Sequence, residues 1–161
     1  MRPVYTIRGY LKHDRQRCME ILSDNCPTYF RHGDELLFDR WLTAQEQGKQ
    51  ASANSFGDFY YVVLKDFNVV ACGGFYLEDY DVSAHISWLM VDPSSKGQGV
   101  GHKLSAYVLE QVNLLFPESL VHVKTTENCT TFFEKMGFKN GQTMVSSAEG
   151  KRDHVSMILR R

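Results

Sequence analysis

Between residues 84 and 125 the hydrophobic period of the chain changes twice, and this limits the fold more than any other feature. Ala84 to Val91 is a short apolar run of strand character. After Asp92-Pro93, the residues Val100, Leu104, Tyr107, Val108, Val112 and Leu115 fall on one helical stripe that ends before Pro117. Leu120 to Thr125 then reads as a strand again. Strand, helix and strand in close succession make a parallel crossover, because parallel neighbours need a connection of about a dozen residues or more. All-α and all-β architectures are excluded, and the helix must cover one face of a sheet.

The flanking segments extend that sheet. Phe59 to Lys65 and Val69 to Leu77 are rich in Val, Tyr and Phe, and Asp66-Phe67-Asn68 between them predicts a hairpin. With Ala84 to Val91 they form an antiparallel meander. Val4 to Arg8 reads as a first strand. Asp14 is a plausible N-cap for a helix that places Cys18, Ile21, Leu22 and Asn25 on one face and stops at Pro27. A second helix over about 34–45 carries Leu37, Phe38, Trp41 and Leu42, then gives way to a polar loop. Cys129, Phe132, Phe133 and Met136 predict a short helix closed by Gly137, and His154 to Leu159 a last strand.

Composition narrows the class. At 161 residues the chain is one domain, 1–161, on a prior of roughly 150 residues per domain. A net charge of −1 with 43% hydrophobic and 12% aromatic residues excludes a disordered tail, a coiled coil and a collagen-like polymer. It also removes the bulk positive charge that nucleic-acid binding requires, so no nucleic-acid partner is expected. The four cysteines, Cys18, Cys26, Cys72 and Cys129, lack zinc-ligand spacing and read as reduced thiols, with no metal expected. No apolar run approaches about 18 residues and the N-terminal segment has no signal-like core, so the expectation is a cytoplasmic protein without a membrane partner.

The chemistry concentrates in WLMVDPSSKGQGVGHKL. A strand runs into Lys96-Gly97-Gln98-Gly99-Val100-Gly101 and then into an amphipathic helix. Alternate glycines let successive backbone N–H groups turn toward one point, and the helix start adds unpaired donors and partial positive charge. Such a cradle suits an anion, most naturally phosphate. The spacing is neither that of a Walker loop nor that of a dinucleotide-binding fingerprint.

This segment resembles motif A of the GNAT superfamily of acyl-CoA-dependent N-acyltransferases, whose pattern is Gln/Arg-x-x-Gly-x-Gly/Ala after a strand and a V-D-P-like turn. Lys96, Gly99 and Gly101 fall on its three positions, with Lys in place of Gln or Arg. Further on, ENCTTFFEKMGF resembles the family's motif B, and the likeness covers about Phe59 to Phe138. It implies a mixed α/β fold with a mostly antiparallel, twisted central sheet of six to seven strands and helices on both faces. A V-shaped splay is expected between the fourth and fifth strands, with a bulge in the fourth.

The resemblance also implies a function, N-acetylation of a primary amine by acetyl-CoA. The cofactor pyrophosphate would lie on the loop from Lys96 through Gly97, Gln98, Gly99, Val100 and Gly101 to His102. The pantetheine arm would pair with Leu89, Met90 and Val91, and the Leu89 N–H would receive the oxyanion. His85 aligns with a strand position where some members carry a general base, although a strand histidine can equally be a packing residue. An imidazole with a reference pKa of about 6.5 suits neutral pH. Tyr29, Phe30 and Glu78 are candidates for the acceptor site, their alternative being solvated turns. The family tyrosine that protonates the leaving thiolate is replaced by Phe133, which is expected near the cofactor thiol. A non-catalytic acyl-CoA-binding module is therefore the rival reading. The acceptor is a small-molecule or peptide amine, and a homodimer is left open.

Overall fold

The computed structural model describes residues 2–26, 30–31, 33–48, 55–78, 83–144 and 154–160. In chain order the elements are β1 (Tyr5–Gly9), α1 (Arg15–Asp24), α2 (Asp34–Gln47), β2 (Ser55–Lys65), β3 (Asn68–Glu78) and β4 (Ser83–Val91). They continue with α3 (Val100–Leu115), β5 (Leu120–Thr126), α4 (Thr130–Lys135), β6 (Lys139–Met144) and β7 (His154–Leu159). The strands form one sheet in the order β1-β2-β3-β4-β5-β7-β6, antiparallel except at β4–β5, where α3 makes the crossover. The mixed α/β sheet expected from the sequence is thus present, with helices on both of its faces.

Each face carries its own core. Ala71, Phe75 and Leu77 of β3 pack with Val100, Leu104, Val108 and Val112 of α3 and with Phe133 of α4. On the other face, Cys72 of β3 packs with Cys18, Ile21 and Leu22 of α1 and with Phe38, Trp41 and Leu42 of α2. Burying a side chain the size of Phe75 or Leu104 contributes about 1.5–3 kcal/mol. Leu37 and Leu115, placed on the apolar stripes by the sequence reading, are 53% and 47% exposed. The buried residues Phe38, Trp41 and Leu42 centre the apolar face to one side of Leu37, which stands at its rim one turn before Trp41.

Local chemistry explains the element ends. The β2–β3 turn is two residues, Asp66 and Phe67, both with positive φ, while Asn68 pairs with Lys65 in the ladder. That is the backbone a tight, right-twisting hairpin needs. Gly48, in left-handed conformation, ends α2.

Asp14 occupies the N-cap position of α1 but makes no side-chain cap. Its carboxylate instead accepts two hydrogen bonds from the Arg8 guanidinium and one from the Leu11 N–H. The paired guanidinium is the stronger partner.

The sequence reading omitted β6 altogether. Its residues, KNGQTM, are polar and contain a glycine, which is the composition of an edge strand supported on one side by β7.

Candidate active site

Strands β4 and β5 pair through three rungs, Ser83–Leu120, Ala84–Val121 and His85–His122. Beyond them the strands part, and the opening is a cavity of ≈ 780 Å³. One arm presents Ile86 and Trp88 to Val91, and the other Val123 to Thr126. The glycine loop, the start of α3 and α4 close the far end. The size falls within the usual range for ligand sites.

A bulge shapes the first arm. Cys72 pairs with Met90 and Gly74 with Ser87, so Trp88 and Leu89 stand opposite Gly73 alone. Trp88 has φ 49°, a left-handed conformation that a bulky residue rarely adopts and that costs roughly 1–3 kcal/mol. Its carbonyl accepts a hydrogen bond of 2.7 Å from the Tyr60 hydroxyl. Its indole lies against Phe30, with ring centroids 6.1 Å apart, and Phe38, at 5.0 Å. A Cβ on Gly73 would come within 2.5 Å of Leu89 Cδ1 and 3.2 Å of Leu89 Cα, so a side chain there would displace the Leu89 side chain and crowd the bulge.

The glycine loop follows. Gly97 and Gly99 both have φ 79°, and Gly99 precedes the first residue of α3. Lys96, beside them, donates a 2.9 Å hydrogen bond to Asn25 Oδ1. Asn25 in turn donates through Nδ2 to Ile21 O and Val91 O, tying α1 to β4 beneath the loop. Partial burial lowers the Lys96 pKa, opposed by the neighbouring Cys129. An anion in the cavity would favour the charged ammonium. His102 contacts the ring of Phe132, and a Cβ added at Gly101 would lie at ordinary contact distance from Phe132 and Val91. Backbone donors, a helix N-terminus and an ammonium together suit a phosphate group.

At the closed end of the V a row of rings crosses three strands on the α1–α2 face. Tyr76, His85 and His122 stack with centroid separations of 5.1 and 5.0 Å, and Glu78 Oε2 lies 3.7 Å from His85 Nε2. His122 was not singled out from the sequence, although it stands directly opposite His85 on β5. The signal available was its position in the strand that the crossover must bring alongside Ala84 to Val91.

Of the residues expected at the site, Phe30, Leu89, Met90, Val91, Lys96, Gly97, Gly99, Val100, Gly101, His102 and Phe133 line this one cavity. His85 and Glu78 are not among its lining residues, although His85 immediately precedes Ile86, which is. The Gln98 side chain turns away and accepts from Tyr5 Oη at 3.3 Å and Lys65 Nζ at 3.0 Å, linking the loop to β1 and β2. Tyr29 lies outside the described residues. Asn25, Asp34, Cys129 and the β5 arm join the lining as well. Phe133 is buried, and Cys129, whose thiol lies 3.8 Å from Thr126 Oγ1, lines the same space.

The sequence profile of the acetyltransferase (GNAT) domain family matches residues 57–140, just over half of the chain. The chain belongs to the GNAT family. Solved GNAT structures superpose over nearly its whole length. The ribosomal-protein-S18-alanine N-acetyltransferase of Escherichia coli is 14% identical, with 97% of this chain and 93% of that chain covered and a TM-score of 0.72. The ribosomal-protein-alanine N-acetyltransferase of Brucella melitensis is 17% identical, with 95% and 98% covered and a TM-score of 0.73. Arabidopsis thaliana Naa50, in complex with the bisubstrate analogue CoA-Ac-MVNAL, is 17% identical, with 98% and 99% covered and a TM-score of 0.72. At these identities the likeness establishes a GNAT fold. No curated protein sequence matches the chain. Among the described residues no helix is long and apolar enough to cross a membrane, and no cluster of three or more His, Cys, Asp or Glu residues could hold a metal ion.

Proposed function

We propose that the protein transfers an acetyl group from acetyl-CoA to a primary amine by direct attack within a ternary complex. The observation that carries this reading is the V between β4 and β5, where a phosphate-type cradle and a bulged strand arm open into one cavity. The pyrophosphate fits the N–H groups of the loop from Gly97 to His102, with Lys96 beside it. The pantetheine amides fit the exposed edge of Leu89 to Val91, as an added strand would.

The amine nitrogen attacks the thioester carbon, the carbonyl electrons pass to oxygen, and the Leu89 N–H receives the oxyanion. Collapse of the intermediate breaks the C–S bond and releases the CoA thiolate, which takes a proton from solvent or from Cys129. The proton lost by the amine goes through water to His85, whose ring is held by Tyr76, His122 and Glu78. Phe133 has no proton to give. A thiol with a pKa near 8.5 is already a fair leaving group, and loss of one general acid costs about 10²- to 10⁴-fold.

A peptide amine is the first acceptor to try, because two of the structural relatives are named for acetylating ribosomal protein alanine and the third is bound to a peptide-containing analogue. Thiol release from acetyl-CoA is measured against peptides with free N-termini and a panel of small amines. Turnover on one class supports the reading. Binding of acetyl-CoA with no turnover on any acceptor replaces it with the non-catalytic acyl-CoA-binding module that Phe133 favours. His85→Ala is expected to lower turnover mainly below the amine pKa, with acetyl-CoA affinity nearly unchanged. An unaltered pH–rate profile would remove His85 from the mechanism.

A further inference from the structure

The peptide group between Trp88 and Leu89 is held from several directions, and each constraint is traceable. Tyr60 stands on β2, two strands from the bulge. Gly74, its direct partner on β3, has no side chain to block the path across the sheet. The tyrosine ring is set by edge contacts with Tyr10, Phe38 and Trp41 at centroid distances of 6.0, 6.0 and 5.8 Å. Its hydroxyl therefore meets the Trp88 carbonyl from a position that the core has already determined. Burial raises the Tyr60 pKa well above the ordinary tyrosine value, so the group is a donor throughout the working range.

A planar trans peptide points its C=O and N–H in opposite directions. With the Trp88 carbonyl turned toward the Tyr60 hydroxyl, the Leu89 N–H of the same peptide is turned away from that hydroxyl, and Leu89 lines the cavity. A carbonyl that accepts a hydrogen bond also polarises its own amide and makes the N–H a stronger donor. We propose that Tyr60 is a positioning residue for acyl transfer, its hydroxyl holding the Trp88–Leu89 peptide so that the Leu89 N–H faces the developing oxyanion. This inference rests on the reading of the Leu89 N–H as the oxyanion donor. It adds a residue that neither lines the cavity nor touches substrate.

The test compares wild type with Tyr60→Phe, which keeps the ring and its aromatic neighbours but removes the hydroxyl. Leu42→Ala serves as a control that loosens the same core while leaving the three ring contacts of Tyr60 and its hydroxyl in place. Two readouts are taken: kcat and KM for acetyl-CoA with an acceptor that wild type uses, and the carbonyl stretch of bound, ¹³C-labelled acetonyl-CoA, a ketone analogue of the thioester. Tyr60→Phe is expected to lower kcat about 10- to 100-fold, somewhat less than outright loss of an oxyanion donor. Its KM should stay within about twofold, and the carbonyl band should move to higher wavenumber. Leu42→Ala should lower thermal stability with kcat and band nearly unchanged.

Unchanged kcat and band in Tyr60→Phe would overturn the proposal, as would equal kcat losses in the two variants. If wild type binds acetonyl-CoA but acetylates nothing, the catalytic reading fails while the band shift still decides what Tyr60 does. Should Tyr60→Phe not fold, 3,5-difluorotyrosine at position 60 donates more strongly. It must then shift the band to lower wavenumber, and no shift would overturn the proposal.

Discussion

Gly99 and Gly74 show how differently two glycines can be required. Gly99 has φ 79° and open space where a Cβ would be, so a side chain there costs backbone strain of about 1–2 kcal/mol without a clash. Gly99→Glu is expected to lower Tm by only a few degrees and to weaken acetyl-CoA binding at least ~100-fold, by placing negative charge and bulk in the cradle. Isothermal titration calorimetry measures it, and near-normal affinity would contradict the cradle assignment. Gly74, by contrast, is barred from carrying a side chain because a Cβ would run into the Phe59 carbonyl oxygen. The loop glycine was legible because its neighbours in sequence carry the signal. Gly73 and Gly74 were not, since ACGGFY reads only as strand and the groups that a Cβ would crowd at Gly73 or strike at Gly74 come from Leu89 and Phe59, remote in the chain. Tyr60 and His122 were hidden for the same reason, each acting across strands.

The joint between β1 and α1 is electrostatic. Burial pushes the Asp14 carboxyl up, but the Arg8 guanidinium and the Leu11 N–H outweigh it and hold the pKa below the usual carboxylate range. A pKa lowered by folding stabilises the protein above the unfolded value near 3.9, and that contribution is lost as the pH falls through the folded pKa. Asp14→Asn is expected to cost about 1.5–3 kcal/mol at pH 7, or roughly 3–12 °C in Tm. The gap to wild type should close as melts are taken from pH 5 to below pH 3, and a gap independent of pH would rule out this role. Apolar period sufficed to locate α1, α2, α3 and the hairpin. It could not show that Asp14 faces Arg8 rather than its own helix, nor reveal β6, whose polar residues carry no period to read.

Across the whole molecule, the crossover from β4 to β5 was the most legible relation, because handedness and length leave few ways to connect parallel strands. The glycine loop and the aromatic motif after β5 supply nearly half of one cavity's lining. The bulge was expected only through family likeness, since WLMV carries no mark of the extra residue opposite Gly73. That bulge turns Trp88, one of two tryptophans in the chain, onto the cavity wall, while Trp41 stands behind it against Tyr60 and Tyr76. The protein thus contains its own optical probe. Titration with coenzyme A should change the intrinsic fluorescence, with Trp41→Phe retaining most of the change and Trp88→Phe abolishing it. The reverse pattern would mean that occupancy is felt behind the sheet arm rather than on it.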